Sequence, residues 1–503
     1  MKKSRTQKAI INTIVSAGYE VISLVVGLVV PRLILSNFGS AYNGITHSIS
    51  QFISYIAIMK AGIGAATRAA LYKPLAEHNE EEISGIIAAT QKFMRKVSLI
   101  FGVFVIVFAC VYPLWVNDFD WLFTSSLIVI ISISTFAEYY FGFTYEMLII
   151  ADQKEYISSF ISALVVILNG IASVILINSG CSIHVVKIAS TIISSIKPVF
   201  LHFYCRKKYN INRFAKPADN MISQRWDAFA HEIAGFVRTN SDIVILTFFS
   251  NLLEISVYTV YHYVTENLKK VLTIMTSSFA GAFGNMYAKE EKEIMNENFG
   301  IYELIVYSVV SVFYSVTLVM IVPFVMLYTK GVNDVNYSRP LFAMVLTLGS
   351  AFECYRLPYK TMIKVAGHFK QTRNGAILEA AVNIAVSCIG VIFFGLVAVA
   401  LGTLCAMILR TCEFAYYNSR NIMHRDLKYF ISHLLVSLLI MLAVVSVSRL
   451  YMPADFTIVS WILYASVTTV LAVALTVFTD LIFYKTDFLN LFRKLRHNIM
   501  RKV

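Results

Sequence analysis

Glu353, Arg356, Lys360 and Lys364 recur at steps of three and four through an otherwise apolar segment, so on a helix they form a single charged stripe. The same spacing joins His262, Glu266 and Lys269/Lys270 in one segment and His231, Arg238 and Asp242 in another. Glu379, Asn383 and Ser387 make a third such stripe, and Ser162, Asn169 and Ser173 a fourth. A charge at the centre of a membrane-crossing helix costs at least ~2.5–3.5 kcal/mol. Several on one stripe imply a water-filled cavity rather than lipid on that face. Cations outnumber acids among these residues, and Lys and Arg bind phosphate, Arg bidentately. Arg356, Lys360, Lys269 and Lys270 are therefore expected to line a basic cavity, to pair with Glu353 and Glu266 as structural ion pairs, or both.

Other charges admit two readings each. Lys364, Lys197 and Arg410 lie near helix ends and either line the cavity or reach out to headgroups. Arg32 stands near the outer end of the first apolar segment, where it gates the mouth or anchors the helix. Glu20 is a lone carboxyl in the middle of that segment. It is a candidate for coupling to H+ or Na+, or else a hydrogen-bond partner of a neighbouring helix. Asp242 is one turn from Arg238 and expected to pair with it. Pro358, between Arg356 and Lys360, removes a backbone hydrogen bond and should kink its helix at the cavity. No Walker-type phosphate loop, CxxC pair or cation-free carboxylate dyad is present in the sequence. The expectation is a protein that is not an enzyme and carries no metal or organic cofactor.

The elements that must position these groups are long apolar helices. Of 503 residues 57% are apolar and only 15% charged, with a mean hydropathy of +0.67; a soluble domain carries about 25% charged residues. About fourteen segments approach the ~20 apolar residues that a span needs. They lie at roughly 10–35, 41–66, 95–115, 121–150, 156–179, 183–204, 227–249, 254–285, 302–328, 340–365, 374–395, 397–418, 428–448 and 457–484. The fold expected is an all-α polytopic membrane protein. Of the 43 Lys and Arg, about 29 fall in one alternating set of connections and about 3 in the other. That asymmetry puts both termini in the cytoplasm.

The sequence also repeats itself after about 215 residues. Glu138 falls on Glu353, Tyr140 on Tyr355, Met147 on Met362 and Ala151 on Ala366. Asn169 and Ser173 fall on Asn383 and Ser387, Pro113 on Pro323, and Lys197 on Arg410. Six spans per half is an even number, so the halves are parallel repeats, an arrangement of transporters that hold substrate near the midplane between repeats. The division expected is residues 1–208 and 209–425 as six-helix bundles, with 426–503 adding two further helices and a basic tail.

The first hairpin, PRLILSNFGSAYNGITHSISQFISYIAIMKAGIGAATRAALYKPLAE, resembles the start of Wzx-type polysaccharide flippases, with Arg32, Phe38-Gly39, Tyr42, Gly44, Gly62 and Arg68 at the positions of their motif. The segment RTNSDIVILTFFSNLLEISVYTVYHYV is similar to the seventh and eighth spans of the same family. Lys60 departs from it, standing where many relatives carry an acid. The resemblance implies a MATE-like fold of the multidrug/oligosaccharidyl-lipid/polysaccharide exporter superfamily. It also implies a flippase of the bacterial plasma membrane. Its cargo would be an undecaprenyl-phosphate-linked oligosaccharide for lipopolysaccharide, capsule or exopolysaccharide, moved from the cytoplasmic to the outer leaflet. The partners implied are that lipid-linked oligosaccharide, membrane lipids, and a polysaccharide polymerase and glycosyltransferases, with no nucleic acid. Two other readings stay open: a cation-coupled multidrug antiporter of the same superfamily, and a membrane polymerase or glycosyltransferase.

Overall fold

The computed structural model describes residues 5–56, 58–212, 215, 236 and 240–500. Among the described residues every regular element is a helix. In chain order these are α1 (Arg5–Phe38), α2 (Ser40–Tyr55), α3 (Ile58–Glu77), α4 (Glu80–Trp115), α5 (Trp121–Ala137), α6 (Phe143–Ala151), α7 (Glu155–Asn178) and α8 (Ile183–Lys208). They continue with α9 (Asn240–Phe249), α10 (Leu252–Ser277), α11 (Phe279–Ala288), α12 (Lys292–Tyr328), α13 (Pro340–Tyr355) and α14 (Leu357–Ala366). The last are α15 (Arg373–Phe394), α16 (Leu396–Asn421), α17 (Lys428–Ser448), α18 (Ile458–Phe483) and α19 (Lys485–Met500).

Local chemistry sets several of these boundaries. Asn79 caps α4 by accepting from the Glu82 amide at 3.1 Å, and Glu80, Glu81 and Glu82 put negative charge at the positive end of the helix dipole. Thr457 and Ser460 form a reciprocal cap at the start of α18. The basic trio Arg206, Lys207 and Lys208 closes α8.

Among the described residues ten helices are long and apolar enough to cross a membrane, which makes this a multi-pass membrane protein. They account for ten of the expected spans. The other four are the second, seventh, eighth and tenth, and each has a physical reason to fall short. The second is split into α2 and α3, and the tenth is split at Arg356 into α13 and α14. The eighth carries Glu254, Glu266, Lys269 and Lys270 within α10. The seventh lies partly outside the described residues, together with His231 and Arg238.

The chain divides into two compact units, residues 1–256 and 257–503. In the first, α1 packs along α7, α7 along α8, and α3, α4 and α6 close around Leu71, Ile86, Tyr145 and Leu148. Here α2 meets α9 and the first residues of α10. Ser48 bonds Thr247 at 2.8 Å, Asn43 donates to Ser256 at 2.9 Å, and Gly44 lies against the Leu252 carbonyl. In the second, α15 packs on α16, α16 on α13, and α12 is flanked by α17 and α18. Its core is rich in tyrosine, with Tyr302, Tyr307, Tyr314 and Tyr355 all buried. Tyrosine suits a helical interior that contains polar stripes, because the ring fills space while the hydroxyl satisfies a neighbour.

Candidate functional site: paired charges at two irregular helix turns

In the first unit the helix that begins as α5 does not run straight into α6. Residues Glu138–Gly142 form a single π turn between them. In the second unit α13 ends at Tyr355 and α14 begins at Leu357, with Pro358 at its second position. Pro358 has no N–H to give the Cys354 carbonyl, and the helix breaks between them, at Arg356. The shift that aligns the two halves carries Glu138 onto Glu353 and Gly142 onto Leu357. The irregular turn therefore recurs at the same place in each half, and π turns inside helices are frequent at functional sites.

Each turn presents its glutamate to a lysine. In the first unit Lys60, on α3, lies 2.6 Å from Glu138 and over the Tyr139 ring at 4.9 Å. In the second unit Lys269, on α10, lies 3.1 Å from Glu353 and also pairs with Glu266 one turn back on its own helix. Lys60 and Lys269 sit on corresponding segments of the repeat, the second and eighth spans. The departure at Lys60 thus has a structural partner, which the aligned glutamates of the fourth and tenth spans signalled without naming it.

In the second unit the pairing continues inward as an alternating chain. His262 lies 3.5 Å from Glu266. Beyond Glu353, Arg356 reaches back to that carboxylate at 3.0 Å and forward to Glu379 at 2.8 Å. Glu379 takes Arg410 at 3.3 Å, and Arg410 takes Glu413 at 2.6 Å while donating to the Thr372 carbonyl at 3.1 Å. Gly375 makes room for the last pair, since a Cβ there would fall within about 2 Å of Glu413 and Arg410 side-chain atoms. Arg356 is 3% exposed and Arg410 5%. Charges this enclosed persist only when paired and hydrogen-bonded.

This arrangement is the ion pairing with Glu353 and Glu266 that the spacing allowed. Glu266, Glu353, Glu379 and Glu413 alternate with Lys269, Arg356 and Arg410, so those cations are compensated by carboxylates. Arg410 faces the buried Glu379 and the half-buried Glu413, with its guanidinium also 4.1 Å from the Phe414 ring. Lys197 likewise holds Glu146 at 2.8 Å. Glu413 and Glu146 were not singled out in the sequence, although Glu413 stands one turn from Arg410.

The remaining candidates are distributed as follows. Lys270 and Lys364 are exposed and have no carboxylate partner among the described residues. Lys360 is half-buried on α14, and Glu266 half-buried on α10. Asn383 is buried and donates to Thr403 at 3.0 Å; Ser387, one turn on, is buried too. Asp242 is buried on α9, and Arg238, its expected partner, lies outside the described residues. Arg32 is half-buried near the end of α1. Glu20, expected to be enclosed, is exposed on α1, because that helix turns its other side to α7. Among the described residues no group of three His, Cys, Asp or Glu side chains is placed to hold a metal ion.

No protein-family model matches the sequence, and no curated protein matches it. Solved structures do. The lipid II flippase MurJ, in its inward closed conformation, superposes with a TM-score of 0.69 at 15% identity, over 94% of this chain and 99% of its own. The fold is that of MurJ and the MATE transporters. An inward-facing multidrug resistance MATE transporter of the MOP superfamily follows at 0.63, also at 15% identity, over 81% of this chain and 97% of its own. A MATE transporter of Vibrio cholerae gives 0.53 at 13% identity, over 85% and 100%. At these identities the shared fold is a statement about helix arrangement. The side-chain pairs described above belong to this chain on their own evidence.

Proposed function

We propose that this protein is a flippase that carries a polyprenyl-phosphate-linked oligosaccharide from the cytoplasmic to the outer leaflet of the bacterial plasma membrane. The observation that carries the reading is the end-to-end superposition on the lipid II flippase, 94% of this chain against 81% for the inward-facing multidrug transporter. The flippase-like hairpin around Arg32, Phe38-Gly39, Tyr42, Gly44 and Arg68 supports it independently. Lys270, exposed and with no carboxylate partner among the described residues, is the cation best suited to a cargo phosphate, with Lys360, half-buried on α14, as the second to test; the buried Arg356 is engaged by Glu353 and Glu379. H+ or Na+ is the coupling ion in this reading, with Glu20, Glu138 and Asp242 as the carboxylates to test.

The experiment is reconstitution of the purified full chain into proteoliposomes with a fluorescent undecaprenyl-pyrophosphate oligosaccharide in the membrane. The expected result is protein-dependent loss of protection of the labelled glycan from an external quencher. A protein that leaves the glycan where it was, yet drives uptake of a cationic dye under a proton or sodium gradient, would replace this reading with that of a multidrug antiporter.

A further inference from the structure

The second unit holds a cavity of about 650 Å³ that none of the charged stripes enters. Its walls come from the start of α12, the α16–α17 turn and the junction of α18 with α19, so it lies at one end of the helices. The groups that matter are Arg425, Lys428, Tyr429, Ser432, Lys485 and Asp487. Arg425 anchors the floor: it pairs with the buried Glu303 at 2.7 Å, lies over the Tyr429 ring at 4.0 Å, and approaches Asp487 above Gly300. Ser432 and Tyr484 share a hydroxyl hydrogen bond at 2.9 Å on the wall.

The rim is different. Lys428 is 89% exposed and only loosely paired, 3.6 Å from Asp426. Lys485 is exposed and has no carboxylate partner among the described residues, and Arg493 is exposed one helical face along α19. A basic rim over a floor of satisfied polar groups is suited to an anion that arrives from outside. Immediately beside it the surface is apolar. Phe483 lines the cavity and is itself exposed, and α17 continues away from Tyr429 and Ser432 with Ile431, Leu435 and Leu439 exposed at steps of four. The sequence of α19 then alternates apolar Phe488, Leu491, Leu495 and Ile499 with Arg493, Lys494 and Arg496, the pattern of a helix that lies in a membrane surface.

We propose that this cavity seats the headgroup of an anionic glycerophospholipid, with the headgroup phosphate at Lys428 and Lys485 and the acyl chains along the exposed faces of α17 and α18. A basic pocket between helix ends joined to a hydrocarbon-facing stripe accounts for both halves of such a lipid. Free phosphate would use the rim and ignore the stripe. The site is independent of the cargo proposed above.

The test uses the full chain in detergent, titrated with phosphatidylglycerol and, in parallel, phosphatidylcholine, with lipid occupancy read by native mass spectrometry. Phosphatidylglycerol should bind about 10-fold more tightly, and the double variant Lys428→Gln/Lys485→Gln should lose about that factor while phosphatidylcholine binding is unchanged. The charge-retaining Lys428→Arg/Lys485→Arg variant should bind as the parent does. Equal affinity for the two lipids, or undiminished phosphatidylglycerol binding by the Gln variant, would overturn the assignment. So would displacement of phosphatidylglycerol by millimolar inorganic phosphate, which would make the cavity a site for free anions.

Discussion

Replacing Arg356 by Gln should damage the fold before it damages transport. The guanidinium gives 2.8 Å to Glu379 and 3.0 Å to Glu353, with its side chain 4% exposed. Hydrogen bonds to charged groups contribute about 1.5–3 kcal/mol each, and removing one partner of a buried pair costs about 3–5 kcal/mol because the other charge stays enclosed. Here both carboxylates keep a second cation, Glu353 through Lys269 at 3.1 Å and Glu379 through Arg410 at 3.3 Å. The loss should therefore fall near the lower end, about 3 kcal/mol. The assay is membrane abundance together with the unfolding midpoint of the purified protein, for Arg356→Gln, Glu353→Gln and the double variant. The double variant should recover a good part of the stability lost by Arg356→Gln, since it withdraws the carboxylate left behind. Export measured at matched abundance should then be near normal. Normal abundance and midpoint for Arg356→Gln, with export abolished, would refute the reasoning and make Arg356 a cargo contact.

Lys60→Gln should cost less than Arg356→Gln, because the Lys60 and Glu138 side chains are 24% and 42% exposed and neither is enclosed as Arg356 is; the midpoints of the two purified variants measure this. Gly44→Ala should deplete folded protein from the membrane, since its Cβ would fall 1.9 Å from the Leu252 carbonyl oxygen, a backbone atom that cannot swing aside. Alkaline phosphatase fused after Val503 should be inactive in cells, because the distribution of Lys and Arg predicts a cytoplasmic C-terminus.

The helical fold was legible because it rests on long-range averages: apolar length, scarcity of charge and a repeat that aligns two glutamates. The candidate site was legible only along single helices. Spacing of three and four put Glu353, Arg356 and Lys360 on one stripe, but nothing in that spacing says that Glu379, from another helix, comes to 2.8 Å from Arg356. The carboxylate that faces Arg356 from beyond the stripe sits 23 residues further along, outside any single-helix pattern. The breaks were half visible. Pro358 announced the one between α13 and α14, whereas the π turn at Glu138–Gly142 contains no proline and no other residue that would mark it in the sequence.

Comparison of the two halves position by position then explains why one turn is locked and the other is not. Under the matches that carry Glu138 onto Glu353, Asn169 onto Asn383 and Lys197 onto Arg410, the counterparts of Arg356, Glu379 and Glu413 are Phe141, Val165 and Phe200. The first half retains the lysine–glutamate pair at its irregular turn but has apolar residues wherever the second half extends that pair into a chain. Its one further cation on the series, Lys197, is held by Glu146 and Ser158 closes the same carboxylate at 2.7 Å. Glu138, 42% exposed, meets the single lysine Lys60 among the described residues, while Glu353 is bracketed by Lys269 and the buried Arg356. Separating the first, more exposed pair costs less than breaking into the second, which costs about 3 kcal/mol. The Lys60–Glu138 pair is therefore the easier of the two to part, and the chain from Glu266 to Glu413 the harder.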